Sequence, residues 1–152
     1  MYNFVIGAHS YVRWAALLAL LAVLVRSTYG WLAGKEQLAA DQKLVRAAIN
    51  VVGIEFILGL LLYFVWSPFT LETFSNFQLY SQNSQYRFFT LDHAIAMFVA
   101  VALFNIGSSM AKKGATDTAR FRRQALFTLV VLLIIAGSIP WPGMSAGRPL
   151  FR

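Results

Sequence analysis

Two histidines, His9 and His93, are the only imidazoles in the 152 residues, and no cysteine accompanies them. Without thiols the chain has no disulfide, no thiolate metal centre and no haem attached covalently through cysteine. Each histidine opens an apolar stretch, GAHSYVRWAALLAL for His9 and LDHAIAMFVAVAL for His93. Each lies about a turn and a half inside the start of its stretch, which places the two rings at similar depth if both stretches run the same way. Two imidazoles at one depth suit the axial positions of a b-type haem iron. Arg13 follows His9 by four residues, on the same helical face, and is placed to pair with a haem propionate. Met97 follows His93 by four and could replace one ligand, although a thioether there more often packs.

Glu55 is the one charge inside the apolar run around GIEFILGLLLYF. An ionisable residue at that depth is costly and is a functional candidate by default. It could relay protons or bind a quinone hydroxyl. The plainer alternative is a neutral acid hydrogen-bonded to a neighbouring helix through Asn50, Asn105 or Ser138. Asp92 precedes His93 and points about 100° away around a helix, so it reads as a helix-start charge and not as an orienter of His93. Ala16, Ala96, Ala100, Gly53 and Gly59 could make room for a macrocycle; small residues also serve close helix packing in lipid.

The elements that must position these residues are apolar helices. The composition is 59% apolar and 12% charged, with no room for a soluble catalytic module. Four long apolar runs predict membrane-spanning helices over residues 4–25, 46–66, 88–110 and 124–140, in a single integral membrane domain covering 1–152. A signal peptide with Trp14–Val25 as its apolar core is disfavoured, because the run starts before Arg13 and no A-x-A-like site follows. The polar segment 26–43 is expected to be a loop, with Gly30 and Gly34 stopping regular structure. Ser67-Pro68 ends the second span and starts a new helix, with Ser67 as N-cap. Leu71, Phe74, Phe77 and Tyr80 recur every three residues, which predicts a short amphipathic interfacial helix over Pro68–Tyr80. The tail WPGMSAGRPLFR is expected to be irregular, with Trp141 as an interfacial anchor.

The net charge of +7 reflects basic loops and not a nucleic-acid surface. Arg26, Lys35, Lys43, Arg46, Lys112, Lys113, Arg120, Arg122 and Arg123 fall in the two loops on one side, against Arg13, Arg87, Arg148 and Arg152 on the other. That bias predicts both termini outside. Short connections predict an all-α, up-down-up-down four-helix bundle with the first and third helices diagonal, roughly 12–14 Å apart when neighbours pack at about 8–10 Å. No P-loop, dinucleotide fingerprint, HExxH motif, nucleophile arrangement or inverted repeat is present.

HSYVRW, GLLLYF, LDHAIAMFVAVALFNIGSSMAKK and SIPWP together resemble the small bacterial four-helix membrane proteins labelled cytochrome-b-like. The resemblance covers nearly the whole chain. It implies a haem in the bacterial cytoplasmic membrane, with His9 and His93 as axial ligands. Di-haem cytochrome b bundles carry about four histidines, so two imply one haem, near the outer face. The expected function is electron transfer between a quinone pool and a partner at that face. The alternatives are a cofactor-free accessory or assembly subunit of a larger respiratory or photosynthetic complex, docking through the aromatic segment 69–89, and a small proton-handling protein built on Glu55.

Overall fold

The computed structural model describes residues 1–151; Arg152, one of the cations counted above, lies outside the described residues. Every regular element among them is helical: α1 Tyr2–Leu32, α2 Ala39–Leu61, α3 Pro68–Ser75, α4 Phe77–Tyr80, α5 Ser84–Arg87, α6 His93–Lys112 and α7 Asp117–Ser138. Two π-helical turns, Leu62–Trp66 and Phe88–Asp92, follow α2 and precede α6. Four spans, Tyr2–Leu32, Ala39–Trp66, Ser84–Lys112 and Asp117–Ser138, are long and apolar enough to cross a membrane, as in a multi-pass membrane protein. Only 11% of the apolar window in the second span is buried within the protein. Ile54, Ile57, Leu60, Leu61, Phe64 and Val65 of this span are exposed apolar surface of the kind that contacts lipid.

α1 packs along α2 and α7, and α6 packs along α7, whereas α2 and α6 touch only briefly. α1 and α6 therefore stand opposite one another. Ala16, Leu20 and Val23 of α1 meet Ala48 and Val52 of α2, Ala100 and Phe104 of α6, and Val131 of α7 in one core layer at mid-height. Alanines at the crossings bring backbones close, as expected where lipid offers no competing hydrophobic drive. Gly107 does the same between α6 and α7. A Cβ there would collide with Cβ and the ring of Phe127. Gly107→Ala should therefore lower stability by about 1–3 kcal/mol in detergent unfolding. Gly53→Ala faces open space and should leave the midpoint unchanged or slightly raised.

The basic end departs from the sequence expectation. α1 continues to Leu32, and α2 begins at Ala39, not at Arg46. Of the two glycines expected to end the first helix, only Gly34 does so. Its φ of +58° forms the left-handed cap, and Lys35 N–H reaches back to the Gly30 carbonyl at 3.0 Å. Gly30 lies inside α1, where a Cβ would sit 2.6 Å from the Phe121 ring. α7 likewise starts seven residues before the expected Gln124. Thr116 Oγ1 caps it by accepting from Ala119 N–H at 3.2 Å.

The loop cations are more than topology signals. Arg26 grips buried Asp41 with Nε at 2.7 Å and Nη2 at 2.9 Å, and Asp41 also accepts the Leu38 N–H at 2.8 Å. Arg120 donates to Asp117 and to the Gly114 carbonyl, both at 2.9 Å. Asp117 in turn accepts the Gln37 N–H at 2.9 Å, which joins the two basic loops.

At the opposite end Ser67, ahead of proline, is held extended at φ −75° and ψ 119°. Ser67 is the N-cap of α3 with Pro68 in the first turn, as expected, but its hydroxyl makes no capping hydrogen bond. The expected single helix over Pro68–Tyr80 is broken at Asn76. Thr70 and Thr73 form the buried face of α3, while Leu71, Phe74 and Phe77 point outward. Thr70 Oγ1 donates to the Tyr63 carbonyl at 2.6 Å, and Tyr63 OH donates to the Thr90 carbonyl at 2.9 Å. These bonds serve the backbone groups that the π-turns leave open.

Candidate functional site

His9, Arg13, Glu55 and His93, all singled out from the sequence, line one cavity of about 440 Å³. That volume falls within the range of small-ligand sites. Most of the remaining wall is apolar and comes from α1, α2, α6 and both π-turns. Ala16, Ala100, Gly59 and Met97 are part of it. A Cβ on Gly59 would come to 3.5 Å from His9 Cε1, while Gly53 has nothing near it.

His93 is positioned from two sides. The π-turn before it places an extra residue in the helix, with His93 N–H on the Phe88 carbonyl. Across the bundle, α7 stops at Ser138 because Ile139 is extended ahead of Pro140. The last turn of a helix leaves carbonyls without intrahelical partners. His93 Nδ1 takes the Ser138 carbonyl at 2.8 Å. A carbonyl only accepts, so Nδ1 carries the proton and the Nε2 lone pair is free. SIPWP thus contributes the orienter of His93, a role that only the packing of α7 on α6 reveals. Asp92 pairs loosely with Arg87 at 3.6 Å, in line with a helix-start charge.

Glu55 does not use Asn50, Asn105 or Ser138. Asn105 bonds its own helix at the Val101 carbonyl, and Ser138 serves His93. Glu55 Oε1 instead lies 3.0 Å from His9 Nδ1, out of line for a strong hydrogen bond. Its other oxygen, Oε2, is buried without a partner. The two imidazoles face each other with ring centroids 6.4 Å apart and planes at 88°.

Arg13 is held by the tail, which no sequence signal foretold. Its Nη2 donates to the Leu150 carbonyl at 2.6 Å, and the same carbonyl accepts from Trp14 Nε1 at 3.2 Å and Ser10 Oγ at 3.3 Å. Phe151 stacks on Trp14 at 5.6 Å. Arg13 Nε is buried and unpartnered. Arg148, whose backbone N–H bonds the Pro140 carbonyl, lays its guanidinium over Phe69 and Phe89 at 4.9 and 5.2 Å and joins the cavity wall. The tail is irregular, as expected, but it is packed: Ile139 and Ala146 are buried, and Trp141 Nε1 donates to the Ala136 carbonyl.

Among the described residues no group of three or more His, Asp or Glu side chains is arranged to hold a metal ion. Two imidazoles are too few for a structural or hydrolytic metal site, which draws three or four protein ligands. They suffice for a metal whose other ligands come from a macrocycle. No family model, no curated protein and no solved structure matches the chain. The class that fold and site define is therefore an all-helical membrane protein with a two-histidine cavity.

Proposed function

We propose that the chain is a membrane electron-transfer protein that binds one b-type haem between His9 and His93. The spacing of the two rings carries the reading. Two imidazoles that would hold one metal centre between them must each lie within a few ångströms of it, so their rings must come close together. The observed separation is 6.4 Å. His93 Nδ1 is occupied by the Ser138 carbonyl, the usual arrangement behind a metal-bound histidine, which leaves its Nε2 for iron; His9 Nδ1 lies 3.0 Å from Glu55 Oε1 without a formed hydrogen bond. Arg13 Nε and Glu55 Oε2, buried and unpartnered on the same cavity, fit a polar-edged occupant. Haem would supply one-electron redox chemistry, and these side chains would hold, orient and shield it.

Further parts of the reading are the up-down-up-down course of the helices, α3 and α4 lying in the interface with Leu71, Phe74 and Phe77 toward lipid, and both termini outside a bacterial cytoplasmic membrane. The support is the loop charge bias and the exposed apolar row. A quinone and a larger membrane complex are the proposed partners. A reporter inserted near Gly114 should be cytoplasmic and one fused after the last residue outside; the reverse would place the histidines at the inner face.

The deciding experiment is a reduced-minus-oxidised absorption spectrum of protein purified from its native membrane. Sharp low-spin bands with one haem per chain are expected. Absence of haem absorbance would favour the cofactor-free accessory subunit, whose support is the exposed aromatic row of α3 and α4. Glu55→Gln keeps an oxygen for His9 Nδ1 and should leave the spectrum intact. Glu55→Leu removes that oxygen and should weaken haem retention about 10–100-fold, measured by haem transfer to an apo-acceptor. Equal retention in both variants would return Glu55 to a role unconnected with His9.

A further inference from the structure

The cavity is flanked by two regions of very different construction. At its outer end, near Arg13 and Arg148, the tail is tied down: the Leu150 carbonyl takes three donors from α1, Phe151 lies on Trp14 and Tyr11, and Arg148 spans Phe69 and Phe89. The seam between α2 and α6 has no such ties. Leu60 of α2, Phe64 of the π-turn that follows it, and Ile95 and Phe98 of α6 line the cavity and are also exposed on the outside, Phe64 by 62% and Phe98 by 63%. The one ring contact across this seam is Phe56 to Phe98, with centroids 6.3 Å apart. No hydrogen bond or ion pair between α2 and α6 is found among the described residues. The residues exposed along this seam are apolar, and the second span is the least buried of the four.

We infer that the α2–α6 seam is a lateral portal, gated by Phe56 and Phe98, through which a ligand with an apolar body, dissolved in the bilayer, reaches the two histidines. The ligand class follows from the path: an apolar body passes side chains that already contact lipid, whereas an ion or a water-soluble molecule would have to cross hydrocarbon first. Opening beside Phe56 and Phe98 separates one pair of rings and lets lipid chains replace that contact, while the core cluster of Val52, Ala100 and Phe104 and the Tyr63–Thr90 bond stay in place. Opening the outer end breaks a three-donor carbonyl cluster and several ring contacts together. Identification of the ligand as haem rests on the function proposed above; the portal itself does not.

Two measurements on the full chain in phospholipid vesicles separate those statements. In the first, a phenyl-sized diazirine dissolved in the lipid is photolysed and labelled peptides are mapped. The portal predicts label at interior Met97 as well as at lipid-facing Ile95 and Val99, with Phe98→Ala raising the Met97 label at least threefold. Label confined to the outer faces of the helices in both proteins would overturn the portal. In the second, haem-free protein is mixed with vesicles preloaded with haem and the rise of the absorption band is timed. Phe98→Ala should accelerate uptake at least threefold, while the strap variant S10A/W14F, which removes two of the three donors to Leu150, should not. Acceleration by the strap variant alone would show loading through the outer end and overturn the lateral route. No uptake by any variant, with Met97 still labelled, would refute the haem assignment and leave the portal standing.

Discussion

His93→Ala should abolish the low-spin haem spectrum, and His9→Ala should do the same. Under the proposed reading each ring would hold the haem, and no other imidazole exists in the chain to replace it. Loss of His93 also strands the Ser138 carbonyl, which the ring takes at 2.8 Å. A cofactor that binds only the folded state stabilises it by about 2.7 kcal/mol at a hundredfold excess over its dissociation constant. Thermal unfolding should accordingly fall in step with haem content, and by little in protein prepared without haem. Met97→Leu should leave the bands in place if both ligands are imidazoles, as proposed. An unchanged spectrum in His93→Ala would end the bis-histidine reading. Preserved bands in His9→Ala but not His93→Ala would assign the second ligand to Met97.

Asp41→Ala should be among the most damaging single changes away from the cavity. Asp41 is 7% exposed and satisfies three donors: Arg26 Nε, Arg26 Nη2 and the Leu38 N–H that opens α2. Removing the carboxylate strands a part-buried guanidinium whose Nη1 already lacks a partner and which otherwise rests on Phe121 at 4.8 Å. Breaking a buried pair from one side costs about 3–5 kcal/mol, well above the cost of losing a helix cap alone. Asp41→Asn keeps an acceptor for Leu38 and should fall between. If the stranded charge is the cause, Arg26→Ala in the Asp41→Ala background should recover part of the loss, which a double-mutant cycle in detergent unfolding measures. Strict additivity of the two changes would contradict the pair.

Several features follow from the sequence alone, each for a local reason. Four apolar runs long enough to cross hydrocarbon are a matter of composition, so the four spans are legible directly. The pairing of His9 and His93 was also expected from their equal offset from the starts of two spans taken to run the same way. Glu55 was singled out as a lone charge in its run, but not as a neighbour of His9. Helix ends were not legible. The polar segment 26–43 marks where apolar composition ends, which is a different place from where the backbone stops being helical. α1 runs on through Arg26 to the left-handed Gly34, and the Arg26–Asp41 clamp allows α2 to start within seven residues of Leu32.

Only the tertiary structure decided the partners. His93 takes a carbonyl 45 residues away, and Arg13 takes one 137 residues away. Such pairs depend on how α7 and the tail lie across the bundle, and no periodicity carries that information. The two π-turns shift register by one residue each, which hydrophobic spacing does not resolve, yet both line the cavity. Glu55 reaches His9, and not an amide on another helix, because α1 packs closely on α2 while α2 and α6 barely meet. The residue types could be read as a ligand set from the chain itself. Their orientation, and the open seam beside them, came from long-range packing that a one-dimensional pattern cannot encode.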